Sequence, residues 1–380
     1  MIRVLYCTDF LMSGGVERQI TELVTRLDRT RFEPYLICLY GPKAGRSLHF
    51  LSRIEAANVP VHLLDLGWSA KDKLRGWQAL TRLSWQIRPQ IFHAVNYHSN
   101  LLSRLARPVM PSRLKLIGSV RTEYTTKQLR YEQLSWRLCT TIVCNSPHLQ
   151  RQLTEQSKVP ASRVLMIPNG VDIERFSQNP QPDLRQNIAP DARRVLVMPG
   201  RITRQKSQHL LAQAIGLLKD RQQLPADLRA VLVGEHEDAT IQAEIDSAIE
   251  RYQLQDVIYQ FDQTDCPEAY YHAGDVTVLA SLWEGMPNVA LESLAAGRPV
   301  IISEAANAAR VIAQNETGWE VKTGDTESLT ETLHHVLHLP DSIFAIMQQN
   351  CLSRAADFSM ARMVTTYEDL YQRLSAIPMP

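Results

Sequence analysis

The chain has 380 residues, of which 44% are hydrophobic and 21% charged, and its 41 Lys and Arg against 40 Asp and Glu leave a formal net charge of +1. That length accommodates two domains, and the composition is that of a globular protein. So even a balance exerts no global pull on nucleic acid, and no run approaches the roughly 18 apolar residues needed to cross a bilayer. The six cysteines are scattered, mostly inside apolar runs, which fits reduced core thiols better than a disulfide framework or a zinc site. The opening MIRVLYCTDF runs straight into a strand pattern without a signal-like segment, so a cytoplasmic setting is expected.

Residues 3–8 read as a first strand, followed by Asp9-Phe10-Leu11-Met12-Ser13-Gly14-Gly15 and a helix over about 16–27. Glycines between a strand and a helix allow close backbone approach, and the helix start attracts anions. The pattern is not the GxGxxG dinucleotide fingerprint, so a nicotinamide or flavin enzyme gains no support. Strand-like runs recur at 35–40, 61–66, 90–95, 115–120, 140–144 and 164–167, with helical stretches at 72–87, 100–107, 125–138 and 147–156. This alternation predicts a parallel sheet with helices on both faces, with ligands beyond the carboxyl ends of its strands. The polar groups there lie at 96–100, 121–124, 145–146 and 169–172.

The third helical region is basic and rich in tryptophan, with Trp68, Lys71, Lys73, Arg75, Trp77, Arg82, Trp85 and Arg88. Such a stretch can rest on a membrane surface. However, Leu74, Trp77, Leu80, Leu83 and Ile87 form a core-facing stripe, and a packed helix with a solvated basic face is the preferred reading.

Residues 176–193 are rich in Pro, Gln, Asn and Asp without apolar periodicity and read as an interdomain linker. The alternation then restarts, with strands at 195–198, 229–233 and 257–261 and helices over about 207–219, 239–252 and 267–272. The stretch 275–303 follows, DVTVLASLWEGMPNVALESLAAGRPVIIS. It reads as a buried strand over 276–279, a loop containing Glu284-Gly285-Met286-Pro287, a helix from Asn288 to about 296, and a further strand. A helix start favours phosphate, and Glu284 and Glu292 can accept hydrogen bonds from hydroxyls. Phosphate together with polyol describes a nucleotide sugar. Helices over about 308–314, 327–338, 342–356 and 360–374 complete the chain.

These motifs, in this order, resemble the retaining glycosyltransferases of family 4. Glu284-Gly-Met-Pro-Asn-Val-Ala-Leu-Glu292 is similar to that family's E-x7-E signature. Pro199-Gly200-Arg201 through Lys206 resembles its donor-phosphate element, and Ser13-Gly14-Gly15-Val16-Glu17-Arg18 its N-terminal glycine loop. Ile167-Pro168-Asn169-Gly170-Val171-Asp172 and Glu316-Thr317-Gly318 match two further segments.

The resemblance implies a GT-B architecture: two Rossmann-like doubly wound domains facing across a cleft, with the C-terminal helix returning to the first. The expected boundaries are an acceptor-binding domain over 1–178, a linker over 179–193, a donor-binding domain over 194–358 and the returning helix over 359–380. It also implies transfer of a hexosyl or N-acetylhexosaminyl group from a UDP-, GDP- or ADP-sugar to a glycan, lipid-linked or small-molecule hydroxyl, as in polysaccharide or glycolipid synthesis. Retention of configuration is expected, without a metal or other cofactor and without nucleic acid as partner. Peripheral contact at the inner face of a membrane is a further expectation.

Arg201 and Lys206 would pair with the donor diphosphate and stabilise the leaving nucleoside diphosphate. Glu284 would bind the transferred sugar and Glu292 the ribose. Gly14, Gly15, Gly200, Gly285, Met286, Pro287, Asn288 and Val289 would present backbone to the donor. Two departures stand out. Arg121 occupies the position where many members carry histidine, which leaves Arg121 and His98 as the catalytic candidates of the first half. After Ser303, the usual glycines are replaced by Glu304-Ala305-Ala306-Asn307-Ala308-Ala309-Arg310. An epimerase of the same architecture and a catalytically degenerate binding subunit are the competing readings.

Overall fold

The computed structural model describes residues 1–376; residues 377–380, the end of the expected C-terminal helix, lie outside the described residues. The chain divides into two compact units, one formed by Met1–Gly170 with the chain from Met360 onward, the other by Val171–Ser359. The division falls at Gly170, ahead of the 179–193 stretch read as a linker, and that stretch carries its own short helix, Leu184–Ile188. Arg185 in this helix donates to the Asp275 carboxylate and to the Ala273 carbonyl, both at 2.9 Å, which ties the stretch into the second unit. Side-chain partners far along the chain hold it, so it lacks the apolar periodicity by which a packed element is recognised.

The first unit contains β1 (Ile2–Thr8), β2 (Phe32–Cys38), β3 (Val61–Leu63), β4 (Ile91–Val95), β5 (Lys115–Val120), β6 (Thr141–Cys144) and β7 (Val164–Met166). They form one parallel sheet in the order β3-β2-β1-β4-β5-β6-β7. Its central strands β4 and β5 are buried on both faces, which explains their continuous apolar runs. On one face Ile20, Leu23 and Val24 of the Gly15–Arg26 helix pack with Met363, Tyr367 and Tyr371 of the Met360–Ala376 helix. On the other lie Leu80 and Leu83 of the Ala70–Ile87 helix, Leu102 of the Tyr97–Ala106 helix and Leu129 of the Thr126–Ser135 helix.

A polar chain also anchors the C-terminal helix to the sheet. Tyr6 donates to the Tyr371 hydroxyl (3.0 Å), which meets His93 Nδ1 (2.8 Å), while His93 Nε2 meets Ser119 Oγ (2.7 Å). Every group in this chain is buried and partnered, the condition under which a polar core network is tolerated.

The second unit contains β8 (Arg194–Pro199), β9 (Leu228–Val233), β10 (Ile258–Phe261), β11 (Val276–Leu279), β12 (Val300–Ser303) and β13 (Gly318–Val321). Their order is β10-β9-β8-β11-β12-β13, again parallel. Strand β13 was not expected. Its two-residue alternation, with Trp319 and Val321 buried and Glu320 exposed, spans only four residues. The helix expected over 308–314 is instead a single 3-10 turn, Ala306–Ala309.

Two doubly wound parallel sheets are the expected fold class. In each, the strand order reverses once, between β1 and β4 and between β8 and β11. Loops leaving the carboxyl ends of neighbouring strands diverge at such a point and open a crevice for a ligand.

Candidate active site

In the second unit the loops after β8 and β11 flank the switch point. Gly200 follows β8 at φ 140°, and Gly234, at φ 158°, follows β9 beside it. These are conformations that side chains disfavour, and a Cβ on Gly234 would run into the Gly200 carbonyl. Gln208 fixes the next turn from below, donating to the carbonyls of Gly200 (3.2 Å) and Arg201 (2.8 Å). The two loops are then tied together: Leu282 N donates to the Gln205 carbonyl (2.8 Å) and the Gln205 amide to the Trp283 carbonyl (2.9 Å).

Lys206 and Glu284 meet across this crevice at 2.6 Å, with their side chains only 15% and 12% exposed. A pair so shielded interacts more strongly than a surface ion pair and holds both side chains at the switch point. Arg201 is placed differently. Its Nη1 alone donates to both carboxylate oxygens of Glu237 (2.8 and 3.0 Å), and both side chains are more than a third exposed. Glu237 was not singled out from the sequence, because nothing in its neighbourhood marks it.

The helix after β11 runs over Asn288–Ala295, with Pro287 as its N-cap. Gly285, Met286, Asn288 and Val289 surround that start, where the helix dipole favours negative charge. Glu292 lies one turn in, buried, and accepts from the Tyr271 hydroxyl at 2.8 Å. The altered loop after Ser303 is held by Asn307. Its amide bonds both the N–H and the carbonyl of Ile312 (3.0 Å each) and the Glu320 carboxylate (2.9 Å). A side-chain amide thus does the fixing in a loop that lacks glycine.

In the first unit, the loops after β1 and β4 flank the other switch point. Asn96, at φ 78°, starts the Tyr97–Ala106 helix earlier than expected, so His98 stands in its first turn. The buried Asp9, just past β1, accepts from the backbone N–H of His98 (3.0 Å) and of Ser99 (2.7 Å), and from the Ser99 hydroxyl. The same carboxylate meets His98 Nδ1 at 3.2 Å. Asp9 therefore caps the helix from a neighbouring strand and orients the imidazole. Tyr40, Trp68 and Tyr97 surround the ring, with centroids 5.4–5.6 Å from it. Asp9 carries no local motif; only its position at the end of the first strand could have pointed to it. Gly14 caps the Gly15–Arg26 helix in the same loop.

Arg121 is buried. It donates to Asn169 Oδ1 (3.0 Å) and to the Tyr367 hydroxyl, clamping the end of β5 to the segment after β7 and to the C-terminal helix. The structure thus brings together Lys206 with Glu284 and places His98 on Asp9, while Arg121 is engaged within the first unit's interior. Among the described residues no group of three or more His, Cys, Asp or Glu is arranged to hold a metal ion.

Two family profiles cover most of the chain: Glycosyltransferase Family 4 over residues 13–175 and Glycosyl transferases group 1 over residues 193–338. An Escherichia coli relative, UDP-Gal:alpha-D-GlcNAc-diphosphoundecaprenol alpha-1,3-galactosyltransferase, is 25% identical over 97% of this chain and 96% of its own length. The lipopolysaccharide 1,2-N-acetylglucosaminetransferase of Salmonella typhimurium is 30% identical over 44% of this chain and 45% of its own. Among solved structures, a glycosyltransferase from Rickettsia africae superposes with a TM-score of 0.83 at 18% identity, covering 99% of both chains. HepE from Anabaena in complex with UDP-glucose gives 0.83 at 17% identity, covering 98% of this chain and 100% of its own. These structural likenesses speak for the fold.

Paired doubly wound sheets and these relatives define a glycosyltransferase. The chain belongs to glycosyltransferase family 4. The relatives named are transferases, which weighs against the epimerase reading.

Proposed function

We propose that this chain transfers a hexosyl or N-acetylhexosaminyl group from a UDP-sugar to a hydroxyl of a lipid-linked or glycan acceptor, with retention of configuration and without a metal or cofactor. The observation that carries the reading is the shielded Lys206–Glu284 pair at the β8/β11 crevice, beside the start of the Asn288–Ala295 helix. Support for UDP and for a lipid-linked acceptor comes from the name of the Escherichia coli relative. The proposed setting is cytoplasmic, at the inner face of a membrane.

In this reading the donor diphosphate takes Lys206 and Arg201 as counter-ions. Arg201 exchanges an exposed carboxylate, Glu237, for phosphate oxygens, and an exposed pair of that kind is held by only about 0–1 kcal/mol. Glu284 then accepts hydrogen bonds from the sugar and Glu292 from the ribose. Gly200, Gly285, Met286, Pro287, Asn288 and Val289 present backbone to the donor. The bond from the sugar's anomeric carbon to phosphate oxygen breaks while the acceptor oxygen bonds to that carbon on the same face. The acceptor's proton passes to the departing phosphate, whose growing charge Lys206 and Arg201 stabilise. His98, oriented by Asp9, binds the acceptor hydroxyl, and the neighbouring aromatic rings give a sugar a face to stack on. Arg121 supports this half from behind through Asn169 and Tyr367.

The test is a panel of UDP-, GDP- and ADP-sugars, read by binding and by hydrolysis, followed by NMR of the anomeric proton of the product. The reading expects a UDP-sugar to bind and the product to keep the donor's configuration, with turnover unchanged by EDTA. Neither binding nor hydrolysis of any donor would refute it.

A further inference from the structure

We infer that the outer face of the helical layer formed by Ala70–Ile87, Tyr97–Ala106 and Thr126–Ser135 docks on an anionic phospholipid surface. The inference rests on the proposed lipid-linked acceptor for its purpose, but the surface itself is argued from charge and exposure.

The whole chain is electrically balanced at +1, yet residues 68–140 hold thirteen Lys and Arg against three Asp and Glu. Two of those three acids are neutralised inside the unit. Asp72 pairs with Lys43 (2.7 Å) and Arg75 (3.3 Å), and Glu132 pairs with the buried Arg104 (2.6 Å). Glu123 is the one exposed acid of the stretch. The cations are mostly exposed, among them Lys73 and Arg82 on the first helix and Lys127 and Arg130 on the third. The stretch therefore carries a local excess of positive charge, and most of its exposed cations stand on or beside the first and third of these helices.

Large apolar side chains stand out among these cations. Leu74 is 55% exposed, Trp85 54%, Leu105 57% and Leu134 82%. The core-facing stripe expected of the first helix holds for Leu80 and Leu83, which are buried, but Leu74 points outward. Hydrogen bonds join the three helices into one layer. Trp77 donates to the Leu105 carbonyl (3.3 Å), Trp85 to the Val109 carbonyl (2.9 Å) and Tyr131 to the Leu101 carbonyl (3.2 Å). Cations interspersed with protruding Leu and Trp match a bilayer interface, where the apolar side chains enter below the headgroups and the cations meet lipid phosphate. A nucleic acid would satisfy the cations but leave Leu74, Leu105 and Leu134 in water.

The face also leads to the proposed acceptor residues. Trp68, just ahead of the first helix, stacks on Tyr40 at 4.4 Å and lies 5.6 Å from the His98 ring. A headgroup rising from the bilayer beside Trp68 would thus meet His98 without leaving the surface.

The experiment is flotation of the full-length protein with vesicles of phosphatidylcholine alone or mixed with phosphatidylglycerol, without donor or acceptor. Binding is expected only to the mixed vesicles and weakens with salt. The Lys73→Glu/Arg82→Glu/Arg130→Glu variant should lose at least about tenfold in partition, since each basic side chain near a charged surface contributes on the order of a fivefold effect. Leu74→Ser/Leu134→Ser should lower partition severalfold even at low salt. Both variants change exposed side chains and should keep the parent's melting temperature and donor hydrolysis. No binding to mixed vesicles, equal binding to both vesicle types, or undiminished binding by the charge-reversed variant would overturn the inference. Binding to a fluorescent DNA duplex in place of vesicles would overturn it too. Vesicle binding without any sugar transfer would refute the proposed function and leave this surface standing; transfer to a soluble acceptor without vesicle binding would do the reverse.

Discussion

Lys206 Nζ lies 2.6 Å from Glu284 Oε1 although 78 positions separate the two residues in the chain. They meet because β8 and β11 are neighbours in the sheet while the chain between them runs out through β9 and β10. Removing the cation should therefore damage turnover. Lys206→Ala is expected to lower kcat about 10²–10³-fold, the range typical for losing one preorganised group that stabilises developing charge. Glu284→Ala should reduce kcat more than Glu292→Ala, because its proposed contact lies nearer the reacting carbon. Steady-state kinetics of the three variants decide this, and equal losses for the two glutamates would contradict the assignment.

Gly234 backs the loop that carries Arg201. An added Cβ would meet the Gly200 carbonyl and come within 3.1 Å of the Arg201 nitrogen. Gly234→Ala should therefore destabilise the protein by about 1–3 kcal/mol and weaken donor binding, since the strain falls on the loop that carries Arg201. Thermal melts with and without UDP-sugar would show it. A variant with the parent's melting temperature and donor affinity would rule it out.

The fully buried pair of Arg104 and Glu132, joined through two contacts of 2.6 Å, predicts an asymmetry in stability. Arg104 also donates to Ser135 (2.9 Å) and to the Cys139 sulfur (3.1 Å). Glu132→Ala would strand a guanidinium in the core and should cost about 3–5 kcal/mol in urea unfolding. Replacing both partners with apolar residues, Arg104→Met with Glu132→Leu, should recover most of that loss. A double variant no more stable than the single one would count against this account.

His93 gives a pH dependence whose sign follows from its burial. Burial, with repulsion from Arg121 added, pushes its pKa down to about 3. In the unfolded chain it titrates near 6.5, so between these values the unfolded state binds a proton that the folded state does not. Its contribution is whole above the unfolded value and shrinks by about 1.4 kcal/mol per unit as pH falls toward 3. His93→Gln removes the titration. Between pH 7 and pH 5 the variant should lose about 2 kcal/mol less of its unfolding free energy than the parent, measured by urea titration at both values. An identical loss in both proteins would mean that His93 is not held neutral.

The alternation of strands and helices was legible in the sequence because it is a local property. A buried parallel strand is a short apolar run and a packed helix repeats every 3.6 residues, so each announces itself within a dozen positions. The loop of Glu284 and Pro287, and the glycine before Arg201, were legible for the same reason: turn chemistry and helix starts are written in adjacent residues. The four residues of β13 were too few to show a period.

What only the tertiary structure decided is who meets whom. Strand order put Asp9 against His98, 89 positions away, and Lys206 against Glu284. The clamp of Arg121 on Tyr367 spans 246 positions, and it engages a residue read as a catalytic candidate in the first unit's interior. The same applies to the face of a helix. Spacing alone placed Leu74 with Leu80 and Leu83, but how the helix is rolled against its sheet is set by packing with neighbours distant in the chain, and that left Leu74 in solvent.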